Sequence, residues 1–268
     1  MSHRRTIITL LFLLAFAFGA WAQTSLLRAS PPIGAVVQTW RYDEATRQVV
    51  MRVVNTSGKD ITAFNISITM KRPDGSADFS EVTEDFLPLM ASVQESSDLQ
   101  QKYGNGTFAA GTNRDETIPQ VKGVTDVVAI LDVVAYSDST ADVQNERAFN
   151  HLVVRRKGKL LAMQKANEVI QQVLADPKVA NPSVAVATEL TRLADVSHGL
   201  NRSSQEGQVV PQEIDLRTAA ANLRNARVTA SRKGMTERGY LETYVAESQN
   251  RLAITSAQVN LTKTGGTQ

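Results

Sequence analysis

The chain has 268 residues, no cysteine, and 29 Lys and Arg against 27 Asp and Glu. Without cysteine it forms no disulfide, iron–sulfur cluster or thiolate zinc site and offers no thiol nucleophile. Its near-neutral charge supplies no overall electrostatic drive toward nucleic acid or an anionic membrane.

Residues 1–22 read as a secretory signal peptide. Arg4 and Arg5 form the positive start, residues 6–21 an apolar run of 16, and Ala20 and Ala22 flank Trp21 at the cleavage site. The run is shorter than the ~20 residues of a spanning helix. The expectation is an exported protein, periplasmic or extracellular, whose mature chain begins at Gln23 and carries no integral membrane span. The alternative is a retained signal anchor. Residues 23–156 then hold 13 basic and 17 acidic side chains, and residues 157–268 hold 14 and 10. The front is net acidic and the back net basic.

After a linker at 23–35, residues 36–144 are dominated by period-two patterns. Residues 36–42 read as a strand, and 47–54 put Val49, Met51 and Val53 on one face. Phe64, Ile66, Ile68 and Met70 alternate with Asn65, Ser67, Thr69 and Lys71, the pattern of a half-buried antiparallel strand. Arg72-Pro73-Asp74-Gly75 closes it as a turn. Weaker strands are expected at 107–110 and 116–118. In 124–136, Val127, Ala129, Leu131, Val133 and Ala135 share one face, while Val128, Ile130, Val134 and Tyr136 share the other. A strand apolar on both sides needs cover on both sides.

Residues 145–262 switch to a 3.6-residue period. Phe149, Leu152, Val153, Leu160, Met163, Ile170 and Leu174 form one stripe, interrupted by Gly158 and ended by Asp176-Pro177. Asn181-Pro182 opens a second helix running to Gly199. Pro211 opens a third with Ile214, Ala220 and Leu223 inward. Thr236 opens a fourth with Leu241, Tyr244, Val245, Leu252 and Val259 inward. Residues 263–268 read as a disordered tail. These stripes are thin and bury little area at ~25 cal/mol per Å². The first helix is therefore expected to dock on the β region through Phe149, Leu152 and Val153, and the later ones to be looser.

The stretch 49–76, containing VVNTSGKDITAFNISITMKRPDGS, resembles the immunoglobulin-like domains of bacterial exported proteins, including the FxLYD type. Met70-Lys71-Arg72 stands where that type carries Leu-Tyr-Asp. The resemblance spans residues 36–136 and implies a sandwich in an envelope protein, not an activity. The fold class expected is α+β: an antiparallel immunoglobulin-like β-sandwich followed by a three- or four-helix C-terminal region.

Chemical machinery is sparse. His3 lies in the signal, leaving His151 and His198, and His198 reads as a cation at a helix C-terminus. Asp138 and Asp142 are spaced like calcium-loop ligands, but Val143 and Phe149 stand at the sixth and twelfth positions, where an EF-hand needs Gly and Glu. A turn with side-chain caps accounts for them. Asp126 and Asp132 interrupt an apolar strand and are candidate acids or bases if buried. Arg155, Arg156, Lys157 and Lys159 form the densest basic run. It lacks interleaved aromatics for nucleic acid and reads as a solvated face or a dock for the acidic front. No catalytic, cofactor or metal residue is assigned. The expected role is a non-catalytic interaction protein, binding or scaffolding, with a protein partner or a second copy at the C-terminal helices. The alternatives are a cofactor-free carboxylate hydrolase and a signal-anchored structural envelope protein.

Overall fold

A computed structural model describes residues 33–203 and 209–264. The signal segment and its cleavage point lie outside them. Among the described residues the protein is α+β, with eight strands in two sheets and seven helices. The first sheet holds β1 (Ala35–Asp43), β2 (Gln48–Asn55) and β5 (Asn113–Ile118) in the order β1-β2-β5. The second has the order β4-β3-β6-β7-β8, from β3 (Ile61–Lys71), β4 (Ala77–Asp85), β6 (Asp126–Tyr136), β7 (Thr140–Val143) and β8 (Thr262–Lys263). All pairings are antiparallel except β7 with β8.

The two sheets enclose one core. Trp40, Val49, Met51 and Val53 meet Phe64, Ile66, Ile68 and Met70, so β3 keeps the alternation read from its sequence. At one end Phe64, Phe86 and Phe108 cluster with ring centres 6.0 to 6.4 Å apart, Phe64 and Phe108 edge to face and the other two pairs tilted.

β6 departs from simple alternation. Its pairing with β3 runs Ile66 to Leu131 and then Asn65 to Val133, which leaves Asp132 as an extra residue in a bulge. One inserted residue inverts the faces beyond it. Val127, Ala129 and Leu131 point into the inter-sheet core, as do Val134 and Tyr136. Val133 and Ala135, expected on the face of Leu131, point outward instead. A second irregularity at Thr62 in β3 keeps the partners in step.

The outward patch of Ala63, Val133, Ala135 and Ala141 is covered by Phe149 and Leu152 of α3 (Glu146–Ala175), with Val153 at its margin. Fully burying each of the two larger side chains is worth about 1.5–3 kcal/mol. Asn145 caps α3 by accepting from the Arg147 and Ala148 amides at 3.1 and 3.3 Å. Gly158 does not break the helix. A Cβ there would lie 2.7 Å from the Val210 carbonyl oxygen, so glycine permits a close crossing of the chain entering α5.

Two expectations about the helices are corrected. They are not all C-terminal, because α1 (Leu87–Glu95) and α2 (Ser97–Tyr103) lie between β4 and β5. The later part holds five: α3, α4 (Pro182–Ser203), α5 (Glu213–Arg224), α6 (Ala226–Arg232) and α7 (Glu237–Ala257). The predicted third helix is interrupted at Asn225. Within α5 the inward stripe is Leu216, Ala219, Ala220 and Leu223, an i, i+3, i+4, i+7 set, so Ile214 is turned outward. The helical core is rich in alanine, including Ala162, Ala166, Ala187, Ala194 and Ala226 around Ile170, Leu190 and Leu241. Small side chains let the helices approach closely where bulk is lacking.

The last described residues, 258–264, are tied to the sheets. Gln258 donates to the Ser137 carbonyl at 2.8 Å, and Thr262 and Thr264 bond to Ser139 and Ala141. The predicted tail is therefore paired at Lys263 and Thr264, and residues 265–268 lie outside the described residues.

Arg156 locks the layers together. Its side chain is 0 % exposed. It donates to Asp85 Oδ1 at 3.0 Å, to the Thr62 carbonyl at 3.0 Å and to the Gln258 carbonyl at 3.1 Å. One guanidinium thus joins β3, β4, α3 and the residue ending α7. Glu95 and Arg251 make a second, more exposed pair between front and back at 2.6 Å.

Candidate functional site

The two bulge-directed layers leave a cleft between the outer face of the second sheet and the first two turns of α3. Its volume is about 910 Å³, within the ~300–1,000 Å³ usual for ligand sites. The sheet supplies Asn65, Ser67, Glu81 and Asp132, and α3 with its cap supplies Asn145, Arg147, Asn150 and His151.

Strand register explains this assembly. Asn65 pairs with Thr83, and Ser67 with Glu81, so all four share the outward face. The bulge brings Asp132 to the same surface. Its carboxylate accepts a short hydrogen bond from Ser67 and a 3.3 Å bond from the Asn145 amide. Its carbonyl accepts from the Gln144 and Asn145 amides at 2.8 and 3.1 Å. Asp132 therefore positions the start of α3 as well as lining the cleft.

Asn65 is 3 % exposed. Its amide group donates to Glu81 and, at 2.6 Å, to Thr83, which uses both N–H donors. Its carbonyl oxygen is buried without a hydrogen-bond partner. An unmade bond at a buried acceptor costs about 1–3 kcal/mol, so a ligand donor arriving there would recover that loss.

Beyond the cleft the outward face is uncovered. Thr69, Phe79 and Val128 form the next row and Ile130 lies beside Ser67. Phe79, on the edge strand β4, is 80 % exposed, and Ile130 is exposed as well.

The residues singled out from the sequence are dispersed. Asp126 lies at the opposite end of β6, paired with Lys71 at 3.4 Å. Asp132 lies six residue steps along the strand from it, about 20 Å. Asp138 holds Lys59 at 2.6 Å and the Thr140 amide and hydroxyl, which together pull its carboxyl down to about 2. Burial raises Asp142, but bonds from Thr264, Tyr136 and the Gly34 amide outweigh it and leave its pKa lowered. Both aspartates serve as turn and strand anchors.

His151 is exposed at the cleft rim. His198 does not end a helix, since α4 continues to Ser203, and its Nδ1 lies 2.6 Å from Glu213 on α5. Among the described residues no group of three or more His, Asp and Glu is placed to hold a metal ion. Of the basic run, Arg156 is the docked member and Arg155 the exposed one.

Sequence reasoning expected Asn65 and Ser67 to face solvent and did not single out Glu81, Asn145 or Arg147. The available signal was the fully polar face of β3 beside an aspartate in an apolar strand. Among the described residues no helix is long and apolar enough to cross a membrane.

No protein-family model and no curated protein significantly matches the chain. Among solved structures, a 1.85 Å X-ray structure of a hypothetical protein from Peptoclostridium difficile 630 is 13% identical, with a TM-score of 0.27. The match covers 46% of this chain and 92% of that one.

Proposed function

We propose that the protein is an exported, non-catalytic binding module of the immunoglobulin-like class. Its recognition surface is the outer face of the second sheet, with the polar cleft included and a protein segment as occupant. One observation carries this reading. A single sheet face joins exposed Phe79 and Ile130 to a cleft floor that holds the unsatisfied Asn65 carbonyl. An apolar anchor beside polar groups awaiting partners is the composition of a recognition site. The β1-β2-β5 order and the β4-β3-β6-β7 part of the second sheet, to which β8 adds in parallel, support the immunoglobulin-like class. Residues 1–22 support export.

Site-specific photo-crosslinking in the native envelope tests the surface. A crosslinking side chain in place of Phe79 should give a discrete adduct that disappears in an Ile130→Lys background. An adduct only from Val196 or Val228, both exposed on the helices, would move the site to the C-terminal region. An adduct of twice the chain mass would identify the partner as a second copy. N-terminal sequencing should find Gln23 first, and a retained Met1 would favour the anchored structural protein instead.

The second reading, a carboxylate hydrolase, is favoured by Glu81, Asp132 and His151 lining one cleft. Hydrolysis of an ester or glycoside panel that is lost in Asp132→Asn would select it over the binding module.

A further inference from the structure

A separate cavity of about 210 Å³ lies where α1 of the front half meets α3, α5 and α7. Its walls include Lys159 and Asn167 of α3, Asp215 of α5, and Tyr244 and Arg251 of α7. The exposed Thr218 and Asn222 of α5 form its rim, so it opens to solvent. Cavities at such junctions between structural units are frequent binding sites.

Two of the lining residues each carry a buried side-chain atom with no hydrogen-bond partner, Asn167 Nδ2 and Asp215 Oδ2. They are chemical opposites, a donor and an acceptor. Asn167 is 5 % exposed, and its amide orientation is set because Ser248 donates to its carbonyl oxygen at 2.6 Å. The NH₂ group is what remains for the cavity. Burial raises Asp215 despite the opposing charges of Lys159 and Arg155. Those cations act on it without making a direct bond.

The two orphans sit at different ends. Gln212 bonds to the Gly158 carbonyl at 3.1 Å, which places the start of α5, and Asp215 with it, near Lys159. Asn167 is eight residues farther along α3, about 12 Å of helix. Arg251 lies one turn past Ser248 on α7 and so belongs to the Asn167 end, where Glu95 holds it at 2.6 and 2.7 Å. Met163 and alanines line the middle. The cavity therefore offers a carboxylate beside Lys159 at one end, an amide donor with the Glu95-paired guanidinium at the other, and an apolar waist. Its volume equals about seven water shares, room for a small ligand.

We propose that this cavity binds a small linear zwitterion, a dipeptide or a short ω-amino acid, with its ammonium on Asp215 and its carboxylate at Asn167 and Arg251. Such a ligand satisfies both orphaned atoms at once and bridges α3, α5 and α7 beneath α1. The site is distinct from the sheet cleft, and its occupancy is independent of the function proposed there.

Calorimetric titration and thermal melting of the full chain test it, with glycylglycine and 5-aminopentanoate as probes. Butylamine, pentanoate and sorbitol serve as controls. At least one zwitterion should bind with a Kd below about 1 mM and raise Tm, and the single-charge controls should bind about tenfold more weakly or worse. Preference for glycylglycine assigns a peptide source, and preference for 5-aminopentanoate assigns a metabolite. Asp215→Asn keeps the side-chain volume and removes the charge of a partly buried residue, so it should fold while weakening binding about tenfold or more. Thr218→Trp at the exposed rim should obstruct entry without touching the core. The proposal is overturned by failure of both zwitterions to bind, by sorbitol binding equally well, or by unchanged affinity in both variants.

Discussion

Replacing Arg156 by alanine should be among the most destabilising single changes in this protein. The guanidinium is fully buried and supplies Asp85, whose side chain is 9% exposed, with its only cation within 4 Å among the described residues. After truncation Asp85 keeps a 3.3 Å bond from the Leu87 amide, and the Gln258 carbonyl loses its bond from the guanidinium. Breaking a buried pair from one side costs about 3–5 kcal/mol, because the remaining charge is neither solvated nor paired. For a chain of this size that corresponds to roughly 6–20 °C in Tm. Arg156→Lys retains charge but not the fork geometry and should fall between wild type and Arg156→Ala. The decisive variant is the double change Arg156→Met with Asp85→Leu. Removing both partners should recover most of the loss, as read by urea denaturation with an unchanged m-value. If Arg156→Ala costs less than about 1 kcal/mol, or the double variant is as unstable as the sum of its singles, the guanidinium does not lock the layers.

Ile66→Asp should cost several kcal/mol because it places a charge in the inter-sheet core, whereas Thr69→Lys on the bare outward face should shift the urea midpoint little. Equal effects would contradict the register of β3. Gly158→Ala should lower Tm although alanine is the better helix former by about 1 kcal/mol, since its Cβ meets the Val210 carbonyl; a rise in Tm would show that the α3–α5 crossing relaxes freely. Asp138, held near 2 by Lys59 and Thr140, contributes stability above the ordinary carboxylate pKa that is lost as pH falls toward 2. The stability gap between wild type and Lys59→Met, at most about 1 kcal/mol for so exposed a pair, should therefore narrow as pH falls from 4 through 2, and a gap unchanged from pH 4 to pH 2 would assign it to packing of the lysine stem.

Local patterns were sufficient for much of the architecture. The inward set Phe64, Ile66, Ile68 and Met70 followed from period-two alternation. The end of α3 at Asp176-Pro177 and the opening of α7 at Thr236 followed from helix start and stop signals. So did the docking of Phe149 and Leu152, because an apolar strand needs cover on both faces. These features depend on residues within a turn or a strand of one another, where backbone geometry dictates which side chains share a surface. What only the tertiary structure decided depends on distant partners. The bulge at Asp132 is invisible in a one-strand pattern, because it exists only against the register of β3, yet it reverses Val133–Tyr136 and opens the cleft. Arg156 could be read as solvated until Asp85, Thr62 and Gln258, from separate stretches of chain, converged on it. Asn65 and Ser67 looked like solvent-facing polar residues, and became the cleft floor only when α3 closed over the same sheet face. Asn167 and Asp215 carried no signal, since a polar residue in a helix acquires meaning only from the neighbours that leave it without a partner.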